Sequence, residues 1–146
     1  MVTANLIPDL KRDEGLRLSA YPDPLSHGEP YTVGYGHTGG VHPGTVWTQA
    51  QADAQLSADV AHTEASLDIH LPWWRTLDGV RQDVICEMAF NMGVASLCQF
   101  HNTLGAIQRQ DWPAAKAGML ASLWATQVGN RAKRLAEQML TGEHEE

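Results

Sequence analysis

The chain has 146 residues and a net charge of −7, with 43% hydrophobic and 18% charged residues. That length supports a single domain with a real core, and that composition excludes a disordered chain. The acidic balance argues against a nucleic-acid binder, which needs a broad basic surface, and no run of about 18 apolar residues exists to span a bilayer.

The charge is uneven: residues 1–73 hold nine acids and three bases, whereas 74–146 hold eight acids and seven bases. Cys86 and Cys98 both lie in helix-like text and read as buried free thiols, not as a disulfide framework. The N-terminal "MVTANLIPDLKRDEG" lacks the apolar core and cleavage site of a signal peptide. The tail "GEHEE" reads as a solvated end.

Asn5 or Thr3 can cap a first helix, with Pro8 tolerable in its first turn. Leu6, Leu10 and Ile7 supply its apolar side, and Gly15 ends it. From Leu16 to Val41 the text turns glycine-rich and strand-like. "YTVGYG" alternates strictly and predicts a strand, with "DPLSHGEP" as a turn-rich loop before it.

"TQAQ" at Thr48 is a capping box. Leu56, Val60, Thr63 and Leu67 then fall on one helical stripe. About 21 residues before Pro72 make a helix of about 30 Å, long enough to link two lobes. Further helices are predicted at about 77–92 stopped by Gly93, at 96–109, at 112–125 after Asp111, and at 131–141 after Asn130. The architecture is α+β and mostly α: a helix, a small sheet, a long helix and a helical bundle, with a cleft expected between the small lobe and the bundle.

Three residues of the first part stand out chemically. In "YTVGYG", Tyr31, Val33 and Tyr35 share one face, while Thr32, Gly34 and Gly36 share the other. Thr32 thus stands on a bare face, where it can hold a water or substrate; the plainer reading is that threonine favours strands. Glu14 sits where a helix stops, next to carbonyls that disfavour its charged form. That suits a general acid, although an ordinary ion-paired glutamate would look the same. Asp23 lies between two prolines that stiffen it, and it serves either chemistry or turn hydrogen bonds. Two carboxylates in different environments are the minimal equipment of a glycoside hydrolase. His27, His37 and His42 are too irregularly spaced for a metal set, so His37 reads as a structural histidine paired to an acid, and no metal or other cofactor is expected.

"DEGLRLSAYPD", "YTVGYGHT", "FNMG" followed by Phe100, and "NRAKR" with Leu135 resemble the phage-type lysozyme (endolysin) family, glycoside hydrolase family twenty-four. The likeness runs in order, clear over about 13–38 and 77–142 and weak over 41–70. It implies a single lysozyme-like catalytic domain over 1–146, with a small lobe at about 13–60 and a helical lobe at about 70–146 on which the N-terminal helix packs. It implies cleavage of the β-1,4 bond between N-acetylmuramic acid and N-acetylglucosamine in peptidoglycan, with inversion, by carboxyls about 6.5–9.5 Å apart.

Under this resemblance Glu14 is the essential acid, Asp23 the second carboxylate, and Thr32 the residue that positions the attacking water. Gly36, Thr38, Phe90 and Asn91 match positions that line the saccharide cleft. Arg131 would face Glu14, lowering its pKa against the effect of the helix end, and Arg134 would pair with Asp13. His37 and Asp59 match a buried ion pair, which would raise the folded pKa of His37.

Two departures stand out. Eight residues, "PLSHGEPY", separate Asp23 from Thr32, more than the family's usual spacing, and could move Asp23 or shift the outcome toward retention or transglycosylation. The chain is also acidic where many relatives are basic. No wall-binding module or membrane anchor is visible. The resemblance therefore suggests a monomer free in the host cytoplasm, released to the cell wall with help from a holin, and the alternative is a non-catalytic peptidoglycan-binding module of a virion.

Overall fold

The computed structural model describes residues 1–145. It divides into two compact units: Ile7–His62, and Met1–Leu6 together with the chain from Thr63 onward. The element order is that of an α+β protein that is mostly helical.

The helix α1 (Leu6–Glu14), which enters the smaller unit at Ile7, buries Leu10 completely and leaves Ile7 half-buried. Its last turn closes with the Gly15 amide donating to the Lys11 carbonyl. Next come β1 (Arg17–Tyr21) and β2 (Thr32–Gly34), an antiparallel pair. Arg17 opposes Gly34 and Tyr21 opposes Thr32, with a register shift between the two pairs. This irregularity bends the hairpin. A third segment runs along the other edge of β1, where Ser19 bridges Val46 and the Trp47 amide donates to the Leu18 carbonyl.

The strand expected over the whole of "YTVGYG" is shorter than predicted. Gly34 and Gly36 have φ of +68° and +77°, so the chain turns at Tyr35–Gly36 and pairs with itself, Val33 against His37. Nor is the glycine face bare: a Cβ on Gly34 would meet the Trp47 ring at 2.9 Å. The glycine marks the close approach of a protein side chain.

The long helix α2 (Gln49–His70) has 22 residues, about 33 Å of rise. Its capping box forms as read: the Thr48 amide donates to Gln51 Oε1 at 2.8 Å, and the Gln51 amide to Thr48 Oγ1 at 3.1 Å. Leu56, Val60 and Leu67 of its stripe are buried.

A 3₁₀ turn over Pro72–Thr76 buries Trp74 and leads to α3 (Gly79–Met92), capped by Asp78. The predicted helix at 96–109 is two helices, α4 (Val94–Leu97) and α5 (His101–Gln108), because Phe100 takes a non-helical φ of −80° and ψ of 57°. The predicted helix at 112–125 is likewise two. After α6 (Trp112–Leu120), Ser122 turns extended, donates to the Met119 carbonyl and accepts from the Ala125 amide, starting α7 (Leu123–Val128). In α8 (Asn130–Thr141) the cap position is Gly129, and Asn130 is already helical. Ala132, Leu135, Ala136 and Met139 bury one stripe of α8, which packs against α3, α6 and α7. Each large side chain so buried contributes about 1.5–3 kcal/mol. Cys86 is buried as expected, but Cys98 is only half-buried, so the expectation of two buried thiols holds for one.

Candidate active site

The residues singled out from the sequence divide between the two units. Glu14, Asp23, Thr32, Gly36, His37 and Thr38 lie in Ile7–His62; Phe90, Asn91 and Arg131 lie in the larger unit.

Glu14 is the last residue of α1 and is half-buried. Its carboxylate rests on the turn after β2: a Cβ built on Gly36 would stand 3.0 Å from Glu14 Oε2. Only glycine combines this contact with a φ of +77°. The function of Gly36 in the fold is therefore to let backbone and acid meet.

Asp23 follows β1 by two residues, and Thr32 opens β2. Because Tyr21 opposes Thr32, the register sets Asp23 and Thr32 at the same end of the hairpin. The long connection between them is internally hydrogen-bonded. Asp23 Oδ1 accepts from the Leu25 amide at 2.7 Å, its amide donates to the Gly28 carbonyl, and its carbonyl accepts from the His27 amide. The Ser26 hydroxyl donates to the Glu29 carbonyl at 2.8 Å. Asp23 thus does turn work, and this Asx turn fixes the direction of its carboxylate.

His37 sits just past the turn. Its Nδ1 is 2.7 Å from Asp59 Oδ2, its Nε2 is 2.8 Å from the Gly39 carbonyl, and its ring lies 5.5 Å from that of Trp47. The pairing with Asp59 is the one the motif resemblance implied. Thr38 is exposed. Among the described residues no group of three or more His, Cys, Asp or Glu side chains is arranged to hold a metal ion.

In the larger unit, Phe90 is half-buried and Asn91 exposed in the last turn of α3. The Trp124 indole N–H donates to Asn91 Oδ1 at 2.9 Å, which orients that amide. Arg131 and Arg134, one turn apart on α8, converge on Glu87. Arg134 Nη2 reaches both Glu87 oxygens at 3.0 and 2.9 Å, and Arg131 Nε lies 4.0 Å from Oε2. Glu87 is 1% exposed. Sequence reasoning missed it, although a lone acid inside the apolar run "VICEMAF" was a signal.

Two further charged pairs lie nearer the surface. Lys11 and Asp53 approach to 3.1 Å; their hydrogen bond raises the lysine pKa and lowers the aspartate's. Asp68 is held below the usual carboxylate range by Arg75 first and the Trp74 indole second. Burial pushes the Cys86 thiol well up, so it stays protonated and inert.

A family model described as phage lysozyme matches residues 11–139. The chain belongs to the phage lysozyme family. It is 32% identical over 161 aligned positions to the pre-baseplate central spike protein Gp5 of Enterobacteria phage T4, covering 91% of this chain and 27% of that protein. It is 39% identical over 87 positions to an endolysin of Acyrthosiphon pisum secondary endosymbiont phage 1, covering 60% of this chain and 56% of the endolysin. It is 26% identical to probable T4-type lysozyme 1 of Dictyostelium discoideum, covering 91% of this chain and 92% of that phage-lysozyme relative. The chain thus spans only 27% and 56% of the first two relatives. Among the described residues no helix is long and apolar enough to cross a membrane.

Proposed function

We propose that this chain is an endolysin-type muramidase of glycoside hydrolase family twenty-four, hydrolysing the β-1,4 bond between N-acetylmuramic acid and N-acetylglucosamine in bacterial peptidoglycan. The observation that carries the reading is the Glu14 carboxylate seated on Gly36 in a chain that matches the phage lysozyme family over residues 11–139. Glu14 protonates the glycosidic oxygen. Asp23 and Thr32 hold and activate a water that attacks the anomeric carbon from the opposite face, giving inversion. Gly36, Thr38, Phe90 and Asn91 contact the glycan. His37 braces the turn that carries Gly36, and Arg131 is a supporting charge. Residues 1–146 work as one catalytic domain without a cofactor, as a monomer. The enzyme accumulates in the host cytoplasm and reaches the wall when a holin opens the membrane.

Glu14→Gln keeps the shape of the side chain and removes the proton donor. Clearing of outer-membrane-permeabilised cells should fall by at least about a hundredfold with melting unchanged; near-normal clearing would remove Glu14 from the mechanism. Mass spectrometry of the digest reads the outcome: reducing muramic ends mean hydrolysis, whereas anhydro ends would sink the water-based scheme.

The 91% coverage by a spike protein favours one second reading, a peptidoglycan-binding module that does not cleave. Binding to wall fragments without any new reducing ends would establish it.

A further inference from the structure

Outside the residues assigned to the reaction, the smaller unit carries a groove of about 320 Å³ lined by Trp47, Gln51, Ala54 and Gln55. Its volume lies at the small end of ligand pockets and suits one sugar ring. Trp47 is braced at the back: its ring lies against Gly34, at 2.9 Å from the position of a Cβ there, and 5.5 Å from the His37 ring. Both glutamines are pre-oriented. Gln51 Oε1 is held by the Thr48 amide at 2.8 Å, which turns the Gln51 –NH₂ away as a donor. Gln55 Nε2 is held by Asp59 Oδ1 at 2.8 Å, which leaves the Gln55 carbonyl as an acceptor. Among the described residues neither of these outer amide atoms has a hydrogen-bond partner. At positions i and i+4 of α2 the two glutamines are neighbours on one face. A fixed donor, a fixed acceptor and an indole therefore meet in one small groove with no cation in its lining.

An acetamido group presents one N–H, one carbonyl and one methyl, the complement of that set. We propose that the groove beside Trp47 is a subsite for an uncharged N-acetylated hexosamine, the acetamido carbonyl accepting from Gln51, its N–H donating to Gln55, and its methyl resting on Trp47. Asp59 behind Gln55 disfavours a sugar that carries its own carboxylate. This subsite deepens the glycan-hydrolase reading and rests on it for the source of the sugar.

The test is NMR titration of the full chain with di-N-acetylchitobiose, cellobiose and N-acetylmuramic acid, following the Trp47 indole N–H and the Gln51 and Gln55 amides. Di-N-acetylchitobiose should shift all three, cellobiose none, and N-acetylmuramic acid should bind more weakly. Gln51→Glu keeps the oxygen that caps α2 and loses the donor; it should weaken binding at least about fivefold. Ala54→Arg, at an exposed position, should block the groove without unfolding the chain. Equal shifts with cellobiose, tighter binding of N-acetylmuramic acid, or titrations that neither substitution alters would overturn the proposal. Cell clearing measured on the same samples separates the two readings. Shifts at Trp47 in a chain that never clears cells would leave this subsite standing without the hydrolase. Glu14-dependent clearing with an unmoved Trp47 would do the reverse.

Discussion

Asp23 in one unit and Glu87 in the other are held in contrasting ways. In Ile7–His62, Glu14 and Asp23 are half-buried and lie against backbone: the left-handed turn at Gly36 beside one, an Asx turn around the other. In the helical unit, Glu87 is buried among apolar side chains and held by two arginines of α8. A carboxylate gripped by guanidinium groups inside a core is stable and chemically silent. One propped by backbone at the surface keeps its oxygens within reach of a substrate. The difference is the one expected between a structural acid and the acids proposed here to react.

The largest expected effect breaks the structural side. Glu87→Ala leaves Arg134 and Arg131 as buried charges without this carboxylate and should cost about 3–5 kcal/mol in denaturant unfolding. A loss below about 1 kcal/mol would mean that the arginines find other partners and that Glu87 is not their anchor.

The next tests the reactive side. Gly36→Ala forces a Cβ to 3.0 Å from Glu14 Oε2 at a φ of +77°. Gly40→Ala imposes a similar φ, +72°, with nothing within 4 Å. Both should lose about 1–2 kcal/mol of stability to the left-handed strain. Only Gly36→Ala should also lower cell clearing, by about tenfold to a hundredfold, since it displaces the acid. Equal activities would show that Gly36 serves the backbone alone.

The same contrast explains what the sequence revealed. The capping box of α2 was legible because Thr48 and Gln51 report a local event at fixed spacing. The turn at Gly34–Gly36 was not, since periodicity carries no sign of φ and the glycines were read as a strand face. The break at Phe100 was hidden because it is a tertiary event. Beyond it, α5 meets α6 so closely that a Cβ on Gly118 would fall 2.3 Å from Thr103 Oγ1, and nothing in the propensities of 96–109 announces that contact. Ser122 was legible in principle, as a cap residue three positions before Ala125. Asp59 as the partner of His37 came from resemblance, because a contact across 22 residues has no local signature.

A smaller effect sharpens the comparison within the hairpin unit. Asp59 bonds both His37 and Gln55. Asp59→Asn keeps the shape and removes the charge, and it should cost about 1–2 kcal/mol. Clearing should fall less than in Gly36→Ala, because Asp59 reaches the turn through His37 and not directly. A larger loss of activity than of stability would move His37 from bracing the turn into the reaction itself.

The smallest effect belongs to a surface acid held by side chains. Asp68 accepts from Arg75 Nε and the Trp74 indole at 2.8 Å each, and its folded pKa lies below the ordinary 3.8. A depressed carboxylate pKa stabilises the fold above the unfolded pKa, and that contribution disappears as pH falls through the folded value. Melting temperature should therefore drop from pH 5 to pH 3 more steeply in the wild type than in Asp68→Asn, the gap closing at the acid end. Because Asp68 is exposed, salt should also shrink the gap. A salt-insensitive gap would assign the stabilisation to the fixed hydrogen bond from Trp74 and not to the charge of Arg75, so that even this surface carboxylate would be held by geometry, as Asp23 is.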